Sequence, residues 1–166
     1  MYFSVSEFRK DWQFELDATL RVMKNLTDAS LSQEVVPDGR TLGFIAWHIT
    51  LSVGEMMEKT GLQIDCPPED APMPETASEI CSIYEKAAKS LLEQIKEKWT
   101  DETLLVEDEM YGQKWARGAT LTGLSAHQIH HRGQMTILMR QAGVMVPGVY
   151  GPSKEEWSQM GMPAAK

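Results

Sequence analysis

Histidine is scarce in this sequence and unevenly placed. Four occur in 166 residues, and three of them, His127, His130 and His131, fall within the stretch AHQIHHRGQM. Each residue of an α-helix advances about 100° around the axis, so His127 and His131 project from one face, one turn apart. Two imidazoles at i and i+4 can share a tetrahedral or octahedral ion, which is why this spacing recurs in helical zinc sites. The same spacing also arises by chance on any helix that carries histidines. Leu124, Met135, Leu138 and Ala142 lie on the same side within about 60°, so both rings are predicted to point inward. His130 lies about 100° from His131, on the flank. There it is either a hydrogen-bond donor behind a ligand or a half-exposed helix residue.

The fourth, His48, sits between Trp47 and Ile49 in the apolar run TLGFIAWHITLSVGEMMEK. A lone histidine in such a helix is more often a hydrogen-bonded core residue than a ligand. Two further inward imidazoles change the balance, because one shared divalent ion satisfies all three lone pairs and offsets the cost of burying them. Three nitrogens with one position left open is the catalytic pattern, not the closed structural one. Glu55 follows His48 by two turns on nearly the same face. It reads either as a carboxylate at the solvated end of its helix or as an acceptor or general base beside the ligands. Glu55 and His130 are the supporting candidates, and no other catalytic residue is assigned. The sequence has no Gly-rich phosphate loop, CxxC pair or nucleophile elbow.

Four helices are needed to position these groups, and the sequence offers four, near residues 5–26, 41–59, 76–99 and 119–142. The first opens on Ser4 with Glu7 three residues on, the pattern of a reciprocal capping box, and carries Phe8, Trp12, Leu16 and Leu20 on one face. The second is apolar around most of its circumference, as expected of a helix packed on several sides. The third opens on a second box, Thr76 with Glu79, followed by Ile80, Ile83, Tyr84, Ala87, Leu91 and Ile95. Pro37, Asp38 and Gly39 mark a turn after the first helix. Pro67, Pro68, Pro72 and Pro74 make the connection between helices two and three a long irregular crossover. LLVEDEMYGQKW, ahead of the last helix, fits two short strands around Tyr111 and Gly112 or an ordered loop. Gly143 is expected to be a left-handed stop. The tail beyond it is expected to pack on the body through Tyr150 and Trp157.

The length asks for one domain spanning residues 1–166. A formal net charge of −8, from 24 acidic and 16 basic residues, repels phosphate backbones and anionic lipid, so neither nucleic acid nor membrane is an expected partner. The N-terminal MYFSVSEFRKDW is too charged for a signal peptide or a spanning helix, which places the protein in the cytoplasm. Cys66 and Cys81, a loop and a helix residue in unlike contexts, are not expected to form a disulfide. The eleven methionines are core filler.

Two segments carry a family likeness. HQIHHRGQMTILMRQAGVMVPGVYGP resembles the helix-four signature of the DinB-like superfamily, including Arg132, Gly133 and Gln134 after the last histidine. LGFIAWHI resembles that family's helix-two motif, in which the histidine is the first ligand. The resemblance extends to length and helix order. It implies an all-α, up-down-down-up four-helix bundle with a long crossover between helices two and three. It also implies a divalent ion, nickel or zinc, on His48, His127 and His131, and a homodimer. Relatives include thiol-dependent transferases and hydrolases, which implies a metal-dependent enzyme acting on a small molecule such as a low-molecular-weight thiol. The alternative is a non-catalytic metal-binding bundle with a structural or regulatory role. Arg132 and Gln134 are expected to bond loop carbonyls. Gly133 costs about 1 kcal/mol relative to Ala in mid-helix, so a close helix contact is expected there.

Overall fold

Phe8, Trp12, Leu16, Leu20 and Met23 recur at helical spacing, and all five are buried on one side of α1, Val5–Met23. The structure, a computed structural model, describes residues 1–157 and 159–163. Ser4 does not form the predicted capping box. Its hydroxyl pairs with that of Ser6 at 3.0 Å, and the Val5 N–H goes instead to Asp101 Oδ1 at 2.7 Å. A charged acceptor from across the bundle takes over an N–H of the first turn. α1 also stops three residues earlier than the predicted end, because Asn25 and Leu26 bond back to Val22 and Met23 in tighter turns. A 3₁₀ segment, Asp28–Ser32, follows, capped reciprocally by Thr27 and Ser30.

α2, Leu42–Glu58, starts where the Thr41 hydroxyl accepts the Phe44 N–H at 3.1 Å. α3, Ala77–Lys98, starts on Thr76, whose hydroxyl accepts the Glu79 N–H at 3.3 Å and donates to the Glu79 carboxylate at 2.8 Å. The irregular crossover between them is fastened to both: the Trp47 indole N–H donates to Ala71 O at 3.0 Å, and Asp65 N–H to Ser90 Oγ at 3.0 Å. Of the two readings of the segment before the last helix, the strands are present. β1, Glu107–Met110, pairs antiparallel with β2, Gln113–Ala116, from Glu107 opposite Ala116 to Met110 opposite Gln113. Tyr111 at φ 52° and Gly112 at φ 77° supply the two positive angles that a two-residue hairpin turn requires. α4, Arg117–Gln141, follows β2 directly, and Gly143 at φ 69° ends the chain's last long helix.

α1 and α2 each pack on both α3 and α4. Trp12 donates from its buried indole to Ala88 O at 3.1 Å, locking α1 to α3. The start of α1 meets the start of α4, where Tyr2 N–H bonds Gly118 O at 3.1 Å. This is the close approach that a glycine permits: a Cβ on Gly118 would stand 2.1 Å from Tyr2 O. Gly133, where the sequence predicts such a contact, is exposed, and a Cβ there would meet nothing within 4 Å among the described residues. The tail returns to the bundle through buried Val146 and through the Tyr150 hydroxyl, while the Tyr150 ring stays exposed and Trp157 partly exposed. Cys66 and Cys81 are free thiols. No helix among the described residues is long and apolar enough to cross a membrane.

Candidate metal centre

The contact between α2 and α4 is polar at one level. Gln128, fully buried on α4, donates to Ile49 O at 3.0 Å. One residue away on each helix, His48 and His127 face each other with their Nε2 atoms 3.0 Å apart. His131 completes a triangle whose ring centroids are 4.8, 4.8 and 4.4 Å apart. One ligand nitrogen from each residue lies within 4.8 Å of the others, a group that could hold a metal ion.

Two further contacts fix the rings. His131 Nδ1 lies 2.7 Å from Gln134 Oε1. A carboxamide oxygen only accepts, so Nδ1 carries the proton and Nε2 is left with a lone pair. His48 stacks nearly parallel on Phe44, centroids 6.1 Å apart. All three imidazoles are held below their ordinary pKa. Desolvation is the largest cause for each, followed at His48 by the His131 charge and at His127 by the charges of His131 and His48. At His131 the Gln134 bond works the other way, and His130 and Arg40 add to the lowering. The effect is greatest at His127, brought down to about 4.

This donor set fits a divalent ion. Two nitrogen lone pairs at 3.0 Å, part-buried between the helices, repel unless a proton or a cation lies between them. Four-coordinate nitrogen sites with bonds of about 2.0–2.1 Å bring neighbouring ligand atoms to similar separations. Among the described residues no fourth His, Cys, Asp or Glu joins the group.

His130 lies outside the group and is exposed. Its Nε2 is 3.2 Å from Gln134 Nε2, so it stands behind the carboxamide that holds His131. Glu55 is also outside, but it is not a solvated helix end. Its carboxylate accepts the Tyr111 hydroxyl at 2.7 Å, pairs with Lys59, and lines the same cavities as His48. Arg132 and Gln134 do not bond loop carbonyls as predicted. Arg132 is buried and donates to Glu15 O, Thr19 Oγ1, Glu15 Oε2 and the Tyr150 hydroxyl, at 3.2, 3.0, 2.6 and 3.0 Å. Tyr111 carries no sequence signal for a role here beyond its place beside Gly112. Gln134 does, since a carboxamide three residues after an inward histidine is on the adjacent turn.

Two cavities open beside the group. One, of about 290 Å³, is bounded by Phe44, Trp47, His48, Leu51 and the crossover residues Glu69 and Asp70. The other, of about 350 Å³, lies between the hairpin and α4 and reaches His48 and His127.

A model of the DinB family matches residues 1–162 of the chain. A Bacillus subtilis (strain 168) protein described as uncharacterized protein YrdA is 45% identical over 166 residues, covering 100% of this chain and 99% of that one. Among solved structures, a DinB-like protein from Bacillus cereus ATCC 10987 is 40% identical. It covers 90% of this chain and 100% of its own, with a TM-score of 0.87. The DinB-like protein YjoA of Bacillus subtilis, 19% identical, covers 88% of this chain and 98% of its own at a TM-score of 0.69, a likeness of fold alone.

Proposed function

The chain belongs to the DinB family, and on that premise we propose that it is a divalent-metal-dependent enzyme acting on a small molecule, as a thiol S-transferase or a hydrolase. One observation carries the reading: three imidazoles gather within 4.8 Å without a fourth protein ligand among the described residues, beside open cavities. A bundle that used its ion only for stability would close the coordination sphere with protein atoms.

His48, His127 and His131 would hold the ion, nickel or zinc being the best matches to a neutral imidazole set. A bound ion supplies Lewis-acid polarisation to the oxygen or sulfur of a reactant beside it. The protein's own groups do the rest. Gln134 orients His131, Phe44 backs His48, and a largely apolar wall of Met56, Tyr111 and Trp115 bounds the hairpin-side cavity next to the group. The substrate is proposed to be a small molecule, with a low-molecular-weight thiol as one candidate reactant, and the compartment to be the cytoplasm.

A second copy of the chain is the proposed partner. Ile129 and Ile137 stand exposed on α4 with Gly133 between them, one turn from each. Among the described residues nothing lies within 4 Å of a Cβ placed on Gly133, so the backbone contact that a mid-helix glycine permits would come from that copy.

Elemental analysis of the purified protein, paired with an activity screen of low-molecular-weight thiols against electrophiles and of ester and amide substrates, tests the reading. About one ion per chain together with turnover that His127→Ala abolishes is expected. A full complement of metal with no turnover in any class would favour the non-catalytic bundle.

A further inference from the structure

The two cavities that meet at the three-histidine group are chemically unlike. The one beneath the crossover has Glu69 and Asp70 at its edge. The one beside the hairpin runs from His48 and His127 to Met56, Tyr111 and Trp115, and its far wall is apolar. Met56 is buried there, and the two aromatic rings meet edge to face with centroids 6.1 Å apart. The polar groups are His48 and His127 at one end and, two turns along α2, the Glu55 carboxylate, which is engaged by Tyr111 and Lys59.

The wall is built by the protein itself. Gly123, one turn before His127, lets the Trp115 ring lie against α4: a Cβ there would sit 3.3 Å from the indole and 3.8 Å from the Met56 methyl. The hairpin that carries Trp115 is pinned at its base. Arg117 grips Asp108 with two bonds, at 2.7 and 3.1 Å, and lies 5.2 Å over the Trp99 ring.

We infer that this chamber is a binding site for an uncharged, largely apolar small molecule the size of a fused two-ring aromatic, seated with its polar group toward His48 and His127. An apolar cavity of about 150 Å³ accommodates benzene, and this one, at about 350 Å³, has room for a second ring and a polar substituent. Edge-on and offset contacts from Tyr111 and Trp115 suit a flat partner. Glu55 on the chamber wall, in a chain of net charge −8, disfavours an anion. An ammonium group would find Glu69 and Asp70 in the other cavity. That the molecule is a substrate rests on the proposed metal-dependent reaction; that it binds does not.

The test is titration of the ¹⁵N-labelled full chain, metal-loaded and metal-free, with 2-naphthol, read at the tryptophan indole N–H resonances and by calorimetry. Naphthalene-2-carboxylate is the anionic comparison. The Trp115 resonance should move and that of Trp47, in the other cavity, should not. The carboxylate should bind at least about tenfold more weakly, and Gly123→Leu and Trp115→Ala should each lose about tenfold in 2-naphthol affinity without losing metal. Asp70→Asn, at the edge of the other cavity, should stay within about twofold. Movement at Trp47 alone, equal affinity for the anion, or undiminished binding in the variants overturns the inference. If Gly123→Leu does not fold, Trp115→Ala on the partly exposed strand makes the same comparison. Binding of 2-naphthol by a protein that turns over nothing would leave the site standing and remove the enzymatic reading. Turnover without 2-naphthol binding would do the reverse.

Discussion

His131 gives its Nδ1 proton to the side-chain oxygen of Gln134 at 2.7 Å, and that bond selects Nε2 as the nitrogen available to an ion. Outer partners of this kind are worth about 10–100-fold in metal affinity. Gln134→Ala should therefore weaken zinc or nickel binding by that factor, and Gln134→Glu should restore it, in competition against a chelator of known affinity. His131→Ala should remove most bound metal. His130→Ala, one step behind the carboxamide, should leave the stoichiometry unchanged. The opposite pattern, with metal lost from the position-130 variant and kept by the position-131 variant, would sink the assignment.

Acid should release the metal later than an ordinary histidine site would. Ligation requires neutral imidazole, and all three rings are held below their ordinary value, His127 at about 4. Affinity should hold from neutrality through about pH 6.5, the unperturbed histidine value, and fall only as pH nears the lowered values of the three rings. The metal-free protein follows the same sign. Between the unfolded value and the lowered folded one, the unfolded chain binds more protons, so stability present above about pH 6.5 is lost as pH falls toward the folded values. Urea titrations of the metal-free protein across that window check this, and stability that rose on acidification would contradict it.

What could be read in advance was local. The i,i+4 relation of His127 and His131 is a property of one helix, and His48 was reachable because those two inward imidazoles gave a third one in an apolar helix a shared ion to bind. The helices declared themselves by periodicity. The features that escaped depend on partners far along the chain. Asp101 reaches Val5 across 96 residues and displaces the Ser4 capping box. Arg132 finds Glu15 at a separation of 117, where local reasoning supplies only a loop carbonyl. The 3₁₀ segment Asp28–Ser32 is too short to show a period. Tyr111 is a poor turn former by type, and its positive φ is set by the hairpin it closes. Gln134 is a local miss of another kind, a residue whose spacing from His131 sufficed to place it.

Arg132 and Glu15 form a buried ion pair at 2.6 Å, with the Tyr150 hydroxyl donating to the second Glu15 oxygen at 2.6 Å. Removing one partner of such a pair costs about 3–5 kcal/mol because the other charge is left buried. Arg132→Ala should destabilise by about that much in chemical denaturation. Tyr150→Phe removes one hydroxyl from two charged partners and should cost about 1–3 kcal/mol. The double variant should fall short of the sum, since the two act on the same carboxylate. Strict additivity would show that the tail and the ion pair are independent.

The face around Gly133 separates monomer stability from association. Because a Cβ at 133 meets nothing within 4 Å, Gly133→Ala should stabilise the isolated chain by up to about 1 kcal/mol through helix propensity alone. If a second copy packs its backbone there, the same methyl group, and far more a leucine side chain, should weaken pairing. Sedimentation of the natural protein at micromolar concentration should then show a dimer. Gly133→Leu should shift it toward monomer, and so should Ile137→Glu, which puts a charge on a residue 54% exposed in the single chain. Neither substitution touches the three-histidine group, so metal content should not change. A natural protein that sediments only as monomer, or a Gly133→Leu variant that dimerises as well as its parent, would move the association face elsewhere. The glycine would then have no packing role.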